Sequence, residues 1–181
     1  MKDFEIVPYK EVDGIKTFSN SQIRKLYDMV FENGHGVIFD TSNMRSADDF
    51  LREMNTRSHL YIIYCEGKPI SFMWINNIYE RLAYGNWCTF KGFSYDQKIT
   101  AGKESLKYLM ALELNDEPMF DCLVGHTASK LKTAIAYMEN CGMVCVGEVP
   151  KLMWNHRTNK SESGSILYYV RESDDEDIQR A

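Results

Sequence analysis

The sequence predicts an α+β domain, a mixed and mostly antiparallel sheet flanked by helices. Three observations carry this. Residues 60–65 and 70–78 are β-branched and aromatic runs separated by Glu66-Gly67-Lys68-Pro69, the pattern of a hairpin. Residues 103–114 and 128–139 place apolar side chains at helical spacing, with Leu106, Leu109, Met110 and Leu114 on one face and Leu131, Ile135 and Met138 on the other helix's face. Between them, residues 120–125 are almost wholly apolar, as expected of a strand buried on both sides.

The elements follow in order. Residues 5–9 form a short first strand. Ser19-Asn20-Ser21 supplies capping oxygens for a helix through Ile23, Leu26, Tyr27 and Val30, which Asn33-Gly34 stops. Residues 34–37 form a loop whose His35 faces solvent or a ligand, solvent being the favoured reading. Ser46 caps a second helix through Phe50, Leu51 and Met54, and Asp48 and Asp49 sit in its first turn, where the helix dipole favours acids. After the hairpin, residues 84–93 form an aromatic strand and 94–100 a polar loop. Trp74, Trp87, Phe72 and Phe90 alternate along strands as core and cleft lining. The last two strands are 143–149 and 166–170, joined by an exposed, mobile loop at 155–164.

Bulk properties limit the function. The chain has 181 residues, enough for one domain, expected over 1–171 with an acidic tail at 172–181. A net charge of -5 argues against a nucleic-acid partner, which needs a clustered basic face. No apolar run reaches the roughly 20 residues that span a bilayer, so no membrane partner is expected. Acids near the start stand where a signal peptide would be apolar, so a cytoplasmic location is expected. The five cysteines are odd in number and lack ligand spacing, so neither disulfides nor a metal is expected.

The segment at 84–114 holds the chemistry. A loop running into a helix leaves unpaired N–H groups that, with the dipole, bind anions. Lys98 and Lys103 flank this turn, and Gly102 lets a phosphate approach. Gln97-Lys98-Ile99-Thr100-Ala101-Gly102 resembles the pyrophosphate pattern of the GCN5-related N-acetyltransferases, with Thr100 replacing the middle glycine. Further on, Ala134, Glu139 and Gly142 fit a second pattern of that family. Its catalytic tyrosine falls on Met138, with Tyr137 one position away.

The resemblance implies the acyl-CoA N-acyltransferase fold and acetyl-CoA as co-substrate. Backbone groups of Thr89, Phe90 and Lys91 would pair with the pantetheine arm. Gln97, Ile99, Thr100, Ala101, Gly102 and Lys103 would hold the pyrophosphate. A small-molecule or peptide amine would be the acceptor. His126, beside the expected cleft, is a candidate base, with Glu80 and Asp121 as alternatives and Tyr137 as a further catalytic candidate. Val124-Gly125-His126-Thr127 and the final hairpin also resemble small acyltransferase-like proteins of tailed bacteriophages. Two readings stay open: an N-acetyltransferase, or a catalytically inactive virion or assembly protein with phage virion proteins as partners.

Overall fold

The computed structural model describes residues 4–171; the expected acidic tail lies outside them. The chain begins with β1 (Phe4–Pro8) and a small hairpin, β2 (Glu11–Val12) and β3 (Ile15–Lys16). Ser19 then starts α1 (Asn20–Glu32). Its hydroxyl accepts from the Gln22 N–H, and the Gln22 side chain accepts from the Ser19 N–H at 2.7 Å, a capping box. A 3-10 turn (Gly36–Phe39) leads to α2 (Ala47–Thr56), capped by Ser46. β4 (His59–Cys65) and β5 (Lys68–Tyr79) form the expected hairpin. Its turn puts Glu66 and Gly67 at φ 54° and 73°, the geometry that matches strand twist.

Next come β6 (Leu82–Thr89) and α3 (Tyr95–Met110). A second small hairpin follows, β7 (Glu113–Leu114) and β8 (Glu117–Pro118). β9 (Cys122–Ala128), α4 (Lys132–Asn140), β10 (Val144–Asn155) and β11 (Lys160–Val170) complete the chain. The main sheet has the order β1-β4-β5-β6-β9-β11-β10. Every neighbouring pair is antiparallel except β6 and β9. Strands alternate their side chains between two cores. Tyr61, Ile63, Met73 and Ile75 pack with Leu106, Leu109 and Ile135 on the α3–α4 side. Leu60, Ile62, Phe72 and Trp74 pack with Leu26, Val30, Phe50 and Met54 on the α1–α2 side.

Several boundaries differ from the sequence expectation, among them the end of the strand expected at 84–93, which stops at Thr89. The helix expected at 103–114 begins eight residues earlier and ends at Met110. The polar stretch at 94–100 is its first turns, because Ser94 and Gln97 form another capping box. Leu114 belongs instead to the small hairpin, where Asn115 and Asp116 take positive φ. The strand expected at 120–125 runs on to Ala128, since β11 pairs with it as far as Gly164, and α4 starts only at Lys132. The loop expected at 155–164 is mostly strand. Only residues 156–159 turn, and Lys160, Ser161 and Glu162 pair with Asn155, Trp154 and Met153. Polar side chains there reflect a hairpin at the sheet's margin rather than a loop. The five cysteine thiols are free. Among the described residues no helix is long and apolar enough to cross a membrane.

Candidate active site

The site is built where two parallel strands part. β6 and β9 pair at only three positions, Leu82 with Cys122, Ala83 with Leu123 and Tyr84 with Val124. Beyond them β6 stays paired to β5 and β9 to β11, while their facing edges diverge. A cleft of about 530 Å³ occupies the gap and is lined by residues from both faces of the sheet. Glycines sit at the point of divergence. The Trp87 ring lies over Gly85 so closely that a Cβ there would be 2.3 Å from it. A Cβ on Gly125 would stand 3.1 Å from the Met138 methyl and 3.6 Å from the Gly85 carbonyl oxygen, so Met138 plugs the apex of the gap.

On the α3–α4 side the cleft is lined by Tyr95, Lys98, Ala134, Tyr137 and Met138. The Tyr137 hydroxyl donates to the Lys98 carbonyl at 3.2 Å. Burial, with Cys141 nearby, pushes the Tyr137 phenol well up from its ordinary value, so it stays protonated. His35 stands at this end too. Burial, then the positive charges of Lys98 and Lys91, hold its imidazole below the usual value. The same surroundings bury Cys88, whose thiol is pushed up to about 12 against the opposing influence of Lys98. This end of the cleft is electropositive.

On the α1–α2 side the cleft is lined by Trp74 of β5, by Asp40 at the end of the 3-10 turn and by Asn155 and Glu162 of the β10–β11 hairpin. The turn and the hairpin are tied together. The His156 N–H donates to the Asp40 carbonyl at 2.7 Å, and Arg157 Nη2 lies 3.0 Å from Asp40 Oδ2. Glu162 accepts from Lys130 at 2.7 and 2.9 Å and from Asn155 at 3.1 Å, and the Lys130 contact holds its carboxyl below the usual range. His126 projects from β9 into the cleft beside Tyr84, ring centroids 5.9 Å apart and edge-on. Solvent reaches it from the cleft, yet crowding by its neighbours lowers its pKa.

Solved structures share this architecture. The spermidine N-acetyltransferase of Vibrio cholerae, solved with CoA and spermine, superposes with a TM-score of 0.66 at 13% identity, covering 92% of this chain and 95% of that one. An N-acetyltransferase from Staphylococcus aureus Mu50 gives 0.66 at 12% identity, covering 93% and 97%. The microcin C7 self-immunity acetyltransferase, solved with acetyl-CoA and AMP, gives 0.62 at 15% identity, covering 84% and 89%. The fold is that of the GCN5-related N-acetyltransferases. No protein-family profile matches the sequence, and no curated protein matches it.

Within that fold, the structure regroups the expected site residues. His126, Tyr137 and Thr89 line the cleft. Glu80 does not. It sits at φ 52° between β5 and β6, at the opposite end of the strands. Asp121 is at that end as well, against Arg81 and Arg171. Phe90 is buried in the α1–α2 core, and its N–H donates to Ile70. The Lys91 N–H donates to Asn33 Oδ1 at 2.6 Å, so neither backbone donor is open.

The segment expected to wrap a pyrophosphate is helical throughout. Residues 99–103 lie in the interior of α3, where their N–H groups bond to preceding carbonyls. Gln97 is spent on the cap, Thr100 Oγ1 donates to the Asp96 carbonyl, and Ala101 is buried. Gly102 is no phosphate cradle at a helix start but a buried residue in the middle of α3. A Cβ there would meet Cys141 Sγ at 2.3 Å and the Tyr137 oxygen at 2.8 Å, so it lets α3 and α4 touch. Lys103 is exposed on this helix. His35, expected in solvent, lines the cleft instead. Asp40, Asn155 and Glu162 join the site unannounced, because they come from a turn and a hairpin far apart in the chain.

Proposed function

We propose that the chain is an N-acyltransferase that moves an acyl group, acetyl in the first instance, from its coenzyme A thioester to an amine. The parting of β6 and β9 carries this reading. It leaves a strand edge at residues 85–89 facing a cleft, and a pantetheine arm brings amide groups that complement such an edge. The phosphates then lie toward Lys98 and Lys91, which already make that end positive. Two structures with this fold were solved with CoA or acetyl-CoA bound, and one of these also with spermine. The acceptor enters from the side of Asp40 and Glu162.

The chemistry needs positioning and two proton movements. A neutral amine attacks the thioester carbonyl, the C–N bond forms and the C–S bond breaks. His126 is neutral at pH 7 and takes the amine's proton, directly or through a water. The departing thiolate needs a proton, and the step balances when the proton that His126 took from the amine passes to the sulfur; Tyr137 stays protonated in the same cleft, its hydroxyl on the Lys98 carbonyl.

A second reading has its own observation. Met138 plugs the apex of the gap and the expected pyrophosphate segment is wound into α3. Both favour a non-catalytic protein on this fold, such as a virion or assembly component of a tailed phage. Acetyl-CoA separates the two. At about 100 times its dissociation constant it adds roughly 2.7 kcal/mol of stability, which for a chain of this size raises Tm by about 5–10 °C. Release of free CoA thiol in the presence of mixed amines then confirms turnover. No shift and no thiol release would leave the non-catalytic reading.

A further inference from the structure

Resting on the acyl-transfer reading, the structure also speaks about the acceptor. Two carboxylates, Asp40 and Glu162, line the cleft on the α1–α2 side. Both are shielded, with side chains 12% and 20% exposed, while the cations that meet them, Arg157 and Lys130, are 71% and 55% exposed. The two acids differ in how well they are satisfied. Glu162 accepts from Lys130 on both oxygens and from Asn155 on one. Asp40 Oδ2 is buried and has no hydrogen-bond partner among the described residues. Arg157 Nη2 is 3.0 Å away but out of line for a hydrogen bond.

A second group in the same cleft is unmet in the opposite sense. Trp74 is 3% exposed, lines the cleft, and its Nε1–H has no partner among the described residues. Buried polar groups of this kind are nearly always bonded. One of these asks for a donor and, being a carboxylate, favours a positive one. The other asks for an acceptor. Arg157 reaches Asp40 from an exposed turn without an aligned hydrogen bond, so a better-aligned donor can take its place on the carboxylate. If it swings out, two carboxylates face Lys130 alone.

We propose that Asp40 selects the acceptor, and that the cleft takes an aliphatic amine carrying a second, positively charged nitrogen and an oxygen acceptor. The second nitrogen displaces Arg157 and donates to Asp40 Oδ2. The ligand's carbonyl or hydroxyl oxygen accepts from Trp74 Nε1. The other nitrogen is the one acylated. Arg157 is an internal competitor that holds the carboxylate until the ligand arrives.

Calorimetric titration with L-lysinamide and L-norleucinamide tests this, since the second compound lacks the side-chain ammonium. The unaltered protein binds lysinamide about tenfold more tightly, as a charge-assisted hydrogen bond implies. Asp40→Asn, which keeps size and shape, removes that preference, with circular dichroism to check the fold. Arg157→Ala strengthens lysinamide binding by about threefold, because the competitor is gone. Equal affinity for the two amides in the unaltered protein would overturn the proposal, and so would weaker lysinamide binding in Arg157→Ala. Acetyl-CoA is titrated separately. A chain that binds lysinamide through Asp40 but not acetyl-CoA keeps this site and loses the acyl-transfer reading. A chain that binds acetyl-CoA and treats both amides alike does the reverse.

Discussion

Gly102→Ala tests the contact between α3 and α4 directly. The substitution has two opposed effects. Alanine is favoured over glycine inside a helix by about 1 kcal/mol. Against this, the new Cβ would sit 2.3 Å from Cys141 Sγ and 2.8 Å from the Tyr137 oxygen. Neither neighbour moves freely. Cys141 is buried with Sγ 3.8 Å from the Ile99 carbonyl, and the Tyr137 hydroxyl is tied to Lys98. Overpacking of this kind destabilises by about 1–3 kcal/mol, and distances this short place it at the upper end. The net loss is about 1–2 kcal/mol, which lowers Tm by roughly 2–8 °C in a chain of this length.

Urea unfolding followed by circular dichroism measures it, with an unchanged slope showing that only stability has altered. Cys141→Ala removes Sγ, so the double variant recovers part of the loss, with a coupling of about 1 kcal/mol between the two sites. A Gly102→Ala protein as stable as the parent, or more so, would mean that helix propensity wins and that the two helices are not in close contact here. Glutamate at this position is worse than alanine, since it brings a charge into a buried contact.

Two further outcomes follow from the titrating groups. His126 and His35 are both held below the ordinary histidine value of 6.5. The unfolded chain therefore binds more protons just below that pH, and stability falls as pH drops through 6.5, levelling once both folded-state values are passed. Proton NMR titration of the two imidazoles checks this, and a midpoint above 6.5 for either contradicts it. Cys88, pushed up to about 12, carries almost no thiolate at pH 8. Iodoacetamide at that pH labels it only after unfolding, as peptide mass mapping would show; fast labelling in the native protein would contradict the burial.

Much of the fold is legible where local chemistry and tertiary packing agree. Ser19 and Ser46 announce their helices, and Glu66-Gly67 announces its hairpin, because caps and turns are short-range devices. The start of α3 was not legible for a related reason. Its first two turns carry few buried side chains, the first being Ala101, so the apolar stripe begins late and the polar residues before it read as a loop. That misplacement carried the phosphate site with it: a glycine that looked like a ligand cradle is a helix contact. That His126, Tyr137 and Thr89 share one cleft was legible because they lie on or next to segments that resemble the family's patterns. Asp40, Asn155 and Glu162 were not, since only the sheet order brings a 3-10 turn and the β10–β11 hairpin to one cleft.

The short pairing of β6 and β9 has a consequence for solubility. A strand flank with unpaired amide groups is normally a template on which a second chain can stack and aggregate. The outer flank of β10 is interrupted by two bulges and by Pro150, devices that discourage such stacking. The flanks of β6 and β9 carry their unpaired groups in the middle of the sheet instead. There side chains of α4 line the gap from one face, and residues beside the 3-10 turn and on the β10–β11 hairpin line it from the other, so it is narrow for a second sheet. The molecule thereby keeps open backbone hydrogen-bonding capacity that a slender linear ligand can use and another protein strand cannot.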